Sequence, residues 1–167
     1  MNNSLTMSAR RTQAGFTLLE QLVILLILGI LAAITAPSFL GMYQRMQLNH
    51  ALRLVRGALE EAQMTAIRRS RRCTVVILSN KITSPDGCLV TGDRAMPQTV
   101  SLLTNLPTTF DTIVYGIKGN TVSAGTIVLK NAAINEQRCV VVSFAIGLFR
   151  TGNYTGTFPN GTCTTTE

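Results

Sequence analysis

Residues 16–36 read FTLLEQLVILLILGILAAITA, an apolar run broken by a single charge, Glu20. At about 1.5 Å of rise per helical residue the run is roughly 31 Å long, close to a hydrocarbon core of about 30 Å. A helix apolar on every face has no solvent side, so this one must meet lipid or other chains. Composition agrees: 46% of the 167 residues are hydrophobic and 14% charged, against the ~25% charged usual in soluble domains. The preceding residues 1–15 carry Arg10 and Arg11 and no acid. They form a polar basic leader without the apolar stretch of a secretory signal. Pro37 and Ser38 follow the run with no small-x-small cleavage site, so the helix is expected to remain in the mature chain.

The junction of leader and helix is Gly15-Phe16-Thr17-Leu18-Leu19-Glu20, which closely resembles the processing motif of type IV prepilins. The resemblance implies cleavage after Gly15 by a membrane prepilin peptidase, N-methylation of the new terminal Phe16, and retention of Glu20. It extends to Gly29 and to Pro37, where pilin helices commonly carry a helix-loosening proline. The partners it implies are other pilins or pseudopilins, the prepilin peptidase/N-methyltransferase and the inner membrane. A carboxylate in an apolar helix is costly and calls for a partner. In a pilin the partner of Glu20 is the α-amine of Phe16 on a neighbouring subunit; the plainer alternative is solvation by headgroups at the helix end. The arginines flanking the run, Arg10 and Arg11 before it and Arg45, Arg53 and Arg56 after it, leave the positive-inside count ambiguous. The resemblance places the leader in the cytoplasm and the head outside, in a single-pass precursor.

Past Pro37 the apolar residues Leu48, Leu52, Val55, Leu59, Ala62 and Ala66 alternate spacings of four and three, one face of an amphipathic helix. Arg56 and Glu60 form a supporting i,i+4 pair off that stripe. The helix is expected to run to about Arg69. Beyond Arg72 the pattern turns to short β-rich runs: 73–78, 99–103, 112–115, 121–129, 139–144 and 148–158. Ser84-Pro85-Asp86-Gly87, Lys118-Gly119-Asn120, Thr151-Gly152-Asn153 and Asn160-Gly161 supply the turns. The predicted fold class is α+β: a long N-terminal helix packed on an antiparallel β-sheet head. The expected divisions are a cleaved leader (1–15), a transmembrane or filament-core helix (16–36), an amphipathic helix continuing into the head (37–72) and a β-rich head (73–167). This order resembles the GspH/FimT branch of minor pilins and pseudopilins. The strand at Cys73, the following Asp86-Gly87-Cys88 and a terminal strand pair ending near Cys163 carry the likeness. Leu89-Val90-Thr91-Gly92-Asp93 departs from it, because that branch typically has aromatic residues there.

Four cysteines, Cys73, Cys88, Cys139 and Cys163, all fall in the presumed exterior head. An even number there suggests two disulfides, with three connectivities open. Cys73 with Cys88 and Cys139 with Cys163 are expected, since each closes a local loop containing a turn. Zinc is the alternative, but no C-x-x-C and no adjacent His is present, so no metal and no cofactor is expected. Arg68, Arg69, Arg71 and Arg72 form the densest charge cluster, at the expected helix end, where cations complement the helix dipole. With Lys81, Arg138 and Arg150 they would form a phosphate-binding patch, and the net charge of +7 admits such a partner. DNA-uptake members of the FimT group carry G-R-x-R near the C-terminus; Gly147-Leu148-Phe149-Arg150 matches half of it, which makes a DNA-binding competence pilin the alternative function. No nucleophile with a base, paired carboxylates or phosphate loop stands at recognisable spacing, and His50 is alone. The chain therefore reads as a structural fibre subunit and not an enzyme: a priming, tip or sparse component of a type IV pilus or a type II secretion pseudopilus.

Overall fold

The structure, a computed structural model, describes residues 17–106 and 111–165, with the side chains of 34–38 outside the description. Gly15, Phe16 and the Pro37 side chain therefore lie outside the described residues. Helix α1 is assigned over Leu18–Arg69, and the chain divides into two compact units, Met1–Phe39 and Leu40–Glu167.

In the first unit, every described side chain from Leu18 to Ala33 is exposed. The second unit holds the hydrophobic core. Its part of α1 buries Leu48, Ala51, Val55, Ala58, Leu59, Ala62 and Ala66 completely. The spacing of three and four follows the amphipathic pattern, but the stripe centres on Ala51 and Ala58, and Leu52 is only partly buried at its margin.

The helix stops where Ser70 takes a left-handed conformation, φ +48°. Ser70 N–H donates to Ile67 C=O and Arg71 N–H to Ala66 C=O, each at 3.2 Å. That is a Schellman cap, with serine in the place usually held by glycine.

Among the described residues nine strands follow: β1 (Cys73–Ile77), β2 (Lys81–Thr83), β3 (Arg94–Ala95), β4 (Val100–Thr104), β5 (Thr112–Tyr115), β6 (Gly125–Asn131), β7 (Gln137–Val142), β8 (Phe149–Thr155) and β9 (Thr162–Thr165). They pair antiparallel throughout. The head is α+β as expected, with its sheet divided in two, ordered β3-β2-β1-β5 and β4-β6-β7-β8-β9. In the β1–β2 connection Ser79 C=O accepts from Leu102 N–H, 2.9 Å, so the sheets meet there and both close on the helix in one core. On the far side of the larger sheet Val128, Cys139 and Tyr154 form a second, small core with Leu103, Phe158 and Cys163.

Strand limits differ from the sequence pattern where side chains replace the ladder. The run 121–129 begins at Gly125, because the buried Thr121 hydroxyl donates to Val114 C=O and accepts from Ser123 N–H, leaving only isolated bridges at Tyr115–Thr121 and Thr121–Ala145. The run 139–144 starts earlier, at Gln137, and ends at Val142. There Ser143 N–H turns to Leu148 C=O and Ala145 takes φ +70°.

Helix side chains fasten the loops. Buried Asn131 donates through Nδ2 to Gln44 C=O (3.3 Å) and Gln44 Oε1 (3.0 Å) and accepts from Ala133 N–H. Glu61 accepts from Val90 N–H (2.7 Å), Thr91 N–H (3.2 Å) and Thr91 Oγ1 (3.3 Å), and pairs with Arg94 at 2.6 Å.

Candidate functional site

The described chain begins with Thr17, which caps α1: its Oγ1 accepts from Glu20 N–H and its C=O from Gln21 N–H, both at 3.2 Å. Thr17 and Glu20 stand in the T-x-x-E spacing of a capping box. Glu20 thus sits in the first helical turn, where the helix dipole favours a negative charge. Among the described residues it has no cationic partner. Around it Leu18 is 79% and Leu19 72% exposed, and Leu25, Leu26, Ile30 and Leu31 are each more than half exposed. Such a surface is unstable in water and requires an apolar environment from outside the chain. Among the described residues no helix is long and apolar enough to cross a membrane. The fully described part of the apolar run, residues 18–33, falls short of the ~20 residues a span needs.

At the other end of α1 the four clustered arginines do not form one open patch. Arg69 Nη1 donates to Gly87 C=O at 3.2 Å and Arg71 Nη2 to Asp86 C=O at 2.6 Å. Asp86 in turn accepts from Thr74 N–H at 2.9 Å, and Ser84 Oγ donates to Thr74 C=O at 2.6 Å. Two arginines therefore latch the 84–88 turn onto the helix end. Arg68 borders an open cleft beside Met64 and Val90, and Arg72 borders a recess with Ile117 and Val122. Arg150 stands apart. Its neighbour Phe149 lies 6.0 Å from the Arg56 guanidinium, thirteen residues or roughly 20 Å of helix before Arg69, and Arg150 itself projects from the opposite face of β8, exposed. Lys81 pairs with Asp93 at 3.2 Å. The Thr83 hydroxyl and then Lys81 hold the Asp93 carboxyl below its ordinary range.

The cysteines pair as Cys73–Cys88 (Cα–Cα 5.8 Å) and Cys139–Cys163 (6.0 Å). The first joins β1 to the latched turn. The second joins β7 to β9 over β8, which passes beneath at Gly152: a Cβ placed there would lie 2.1 Å from Thr164 O. Among the described residues no group of three or more His, Cys, Asp or Glu is placed to hold a metal ion. His50 is exposed on α1. Burial raises the Tyr115 hydroxyl above its ordinary range.

Residues 51–145, more than half of the chain, match the family described as type II transport protein GspH. The chain belongs to the GspH family. Residues 10–36 of this family member match the prokaryotic N-terminal methylation motif, so its N-terminal segment and head are together those of a type IV pilin-like protein of the GspH/FimT type. A fimbrial protein of Moraxella nonliquefaciens is 32% identical over 106 residues, which cover 63% of this chain and 64% of the relative. The chain thus spans less than two thirds of that relative's length. No solved structure matches. The pilin and pseudopilin families are structural.

Two residues that hold the head together carry no sequence signal of that role. Gln63 Nε2 donates to Gly119 C=O (2.8 Å) and Gly147 C=O (3.4 Å), and Glu61 grips the 90–94 loop. Both lie on the polar margin of the helix stripe, where a long polar side chain reads as solvated.

Proposed function

We propose that this chain is a minor pilin or pseudopilin. It would be cut after Gly15, methylated on Phe16, and assembled into a type IV pilus or a type II secretion pseudopilus as a priming, tip or sparse component. Before assembly it is an inner-membrane, single-pass precursor, spanning through residues 16–36, with residues 37–72 leading into a head (73–167) outside the cytoplasm. The observation that carries this reading is that α1 from Leu18 to Ala33 is exposed at every position, with one carboxylate, Glu20, in its first turn. Lipid satisfies the apolar side chains but not the carboxylate; a fibre core supplying the Phe16 amine of a neighbour satisfies both. The fimbrial relative and the methylation motif support the same reading.

The test is the amount of this subunit in purified fibres, for wild type and Glu20→Ala at matched membrane levels. Incorporation should drop while membrane insertion and leader cleavage persist. Equal incorporation would refute the docking role of Glu20. Intact mass from a host with prepilin peptidase should show residues 1–15 absent and one methyl group added. DNA binding through Arg68, Arg69, Arg71, Arg72 and Arg150 has less support: Arg69 and Arg71 are committed to the 84–88 turn, and Arg150 stands elsewhere.

A further inference from the structure

Five large apolar side chains, Ile117, Val122, Phe144, Ile146 and Leu148, are between 53% and 70% exposed. They occupy two loops that fold into one unit. Thr121 and Ala145 exchange both backbone hydrogen bonds, at 3.3 and 2.9 Å, and Ser143 N–H donates to Leu148 C=O at 2.7 Å. The Gln63 side chain ties Gly119 and Gly147 to the helix. Gly147 has φ +67°, and a Cβ there would lie 2.4 Å from Gly119 O, so the two loops meet as closely as backbones allow. The patch is therefore preformed, and many of its backbone polar groups are already paired. Covering it would release apolar surface from water at little cost in ordering or desolvation.

Beside these side chains lies a recess of about 500 Å³, walled by Val114, Ile117 and Val122 and bordered by Arg72. Residues 116–124 and 143–148 contain no acid, and Lys118 adds a second cation. Surfaces that rest on lipid place Trp and Tyr at the headgroup level. The chain has no Trp, and neither 116–124 nor 143–148 contains a Tyr. A bilayer also offers nothing shaped to enter a recess.

We infer that this loop pair docks the head of a different protein subunit, one presenting an apolar knob beside a carboxylate. The knob enters the recess and the carboxylate meets Arg72, while Phe144, Ile146 and Leu148 pack around it. The inference rests on the fibre-subunit reading and adds to it the surface and the chemistry of the neighbour.

The experiment uses the full-length chain in its own fibres. Phe144→p-benzoylphenylalanine, irradiated in intact fibres, should cross-link to another pilin-class subunit at a peptide containing Asp or Glu. Phe144→Asp should lower incorporation about tenfold, the scale of a central interface residue, at unchanged membrane level and leader cleavage. Arg72→Glu should lower it too, and a Lys substitution at the partner's cross-linked carboxylate should restore it. Phe144 and Arg72 are exposed, so both variants keep the folded head, which oxidised disulfides and resistance to protease verify. Wild type absent from fibres overturns the fibre reading and this inference with it. Wild type present with Phe144→Asp incorporated equally overturns this inference alone. A cross-link to lipid or to a second copy of this chain overturns the assigned occupant.

Discussion

Glu61→Ala removes the acceptor that holds the 90–94 loop against the helix. Four donors lose it at once: two backbone N–H groups, the Thr91 hydroxyl and the Arg94 guanidinium. The side chains of Arg94 and Glu61 are only 18% and 21% exposed, so the pair is neither fully buried nor freely screened. Hydrogen bonds to charged groups contribute about 1.5–3 kcal/mol each when nothing replaces them. Here Val90 and Thr91 are exposed and water takes over much of their bonding, while Arg94 keeps Gly92 C=O as an acceptor at 2.9 Å. The net loss should be about 2–3 kcal/mol, below the ~3–5 kcal/mol of a fully buried broken pair and well above the ~0–1 kcal/mol of a surface pair. The assay is urea unfolding of the full chain in detergent micelles, disulfides oxidised, followed by near-ultraviolet circular dichroism of Tyr115 and Tyr154. The midpoint should fall with unchanged slope. Glu61→Gln, which keeps an acceptor oxygen and loses the charge, should cost about half as much. An unchanged midpoint refutes the reasoning, as does Arg94→Ala costing the same in the Glu61→Ala background as in the wild type, since the two groups would then be uncoupled.

Ser70→Gly should stabilise the head by about 1 kcal/mol, because a left-handed residue with a Cβ is strained where glycine is not; thermal melts at fixed detergent would show a rise of a few degrees, and a fall would refute it. Gly152→Ala should destabilise by about 3 kcal/mol, since its Cβ has no room under Thr164, and hydrogen exchange should quicken at β8 and β9 before the rest of the head. Asp93 should titrate below its ordinary 3.8, observed by carbon NMR of its carboxyl. Because the folded value is depressed, its contribution to stability is present above pH 3.8 and is lost as pH falls through the folded value. Lys81→Ala or Thr83→Val should move the midpoint back up, and no movement would refute the assigned causes.

Periodicity made the helix and its buried side legible, because Leu48, Val55, Leu59, Ala62 and Ala66 stand at positions that only one face of a helix shares. Two of its alanines were not legible: Ala51 and Ala58 bury little area, so a hydrophobic pattern weights Leu52 above them, although both are completely buried. Strands β1, β4 and β5 lay within a residue of their apolar runs. The short β2 and β3 were missed, since Lys81–Thr83 and Arg94–Ala95 have no room for alternation. The division into two sheets was hidden for a related reason: it depends on where Ser79, Thr121 and Asn131 send their polar groups, not on which residues are apolar. The arginine cluster was visible as charge, but its use was not, because Arg69 and Arg71 bind backbone carbonyls, which every sequence has.

The two cross-links set how much chain the head can release under tension. If a fibre is pulled between helix α1 and a point beyond Cys88, force reaching Cys73 crosses directly through sulfur to Cys88. The fifteen steps of backbone between them, about 50 Å when extended, never enter the load path, and the turn gripped by Arg69 and Arg71 stays slack and folded. Force applied at 144–148 falls inside the ring closed by Cys139 and Cys163. It divides there between β7 and the route through β8 and β9, so neither strand bears the whole pull. Reduction would cost the head about 2–5 kcal/mol per bridge and would also change its extensibility, turning a stiff coupling into one that pays out length before it lets go.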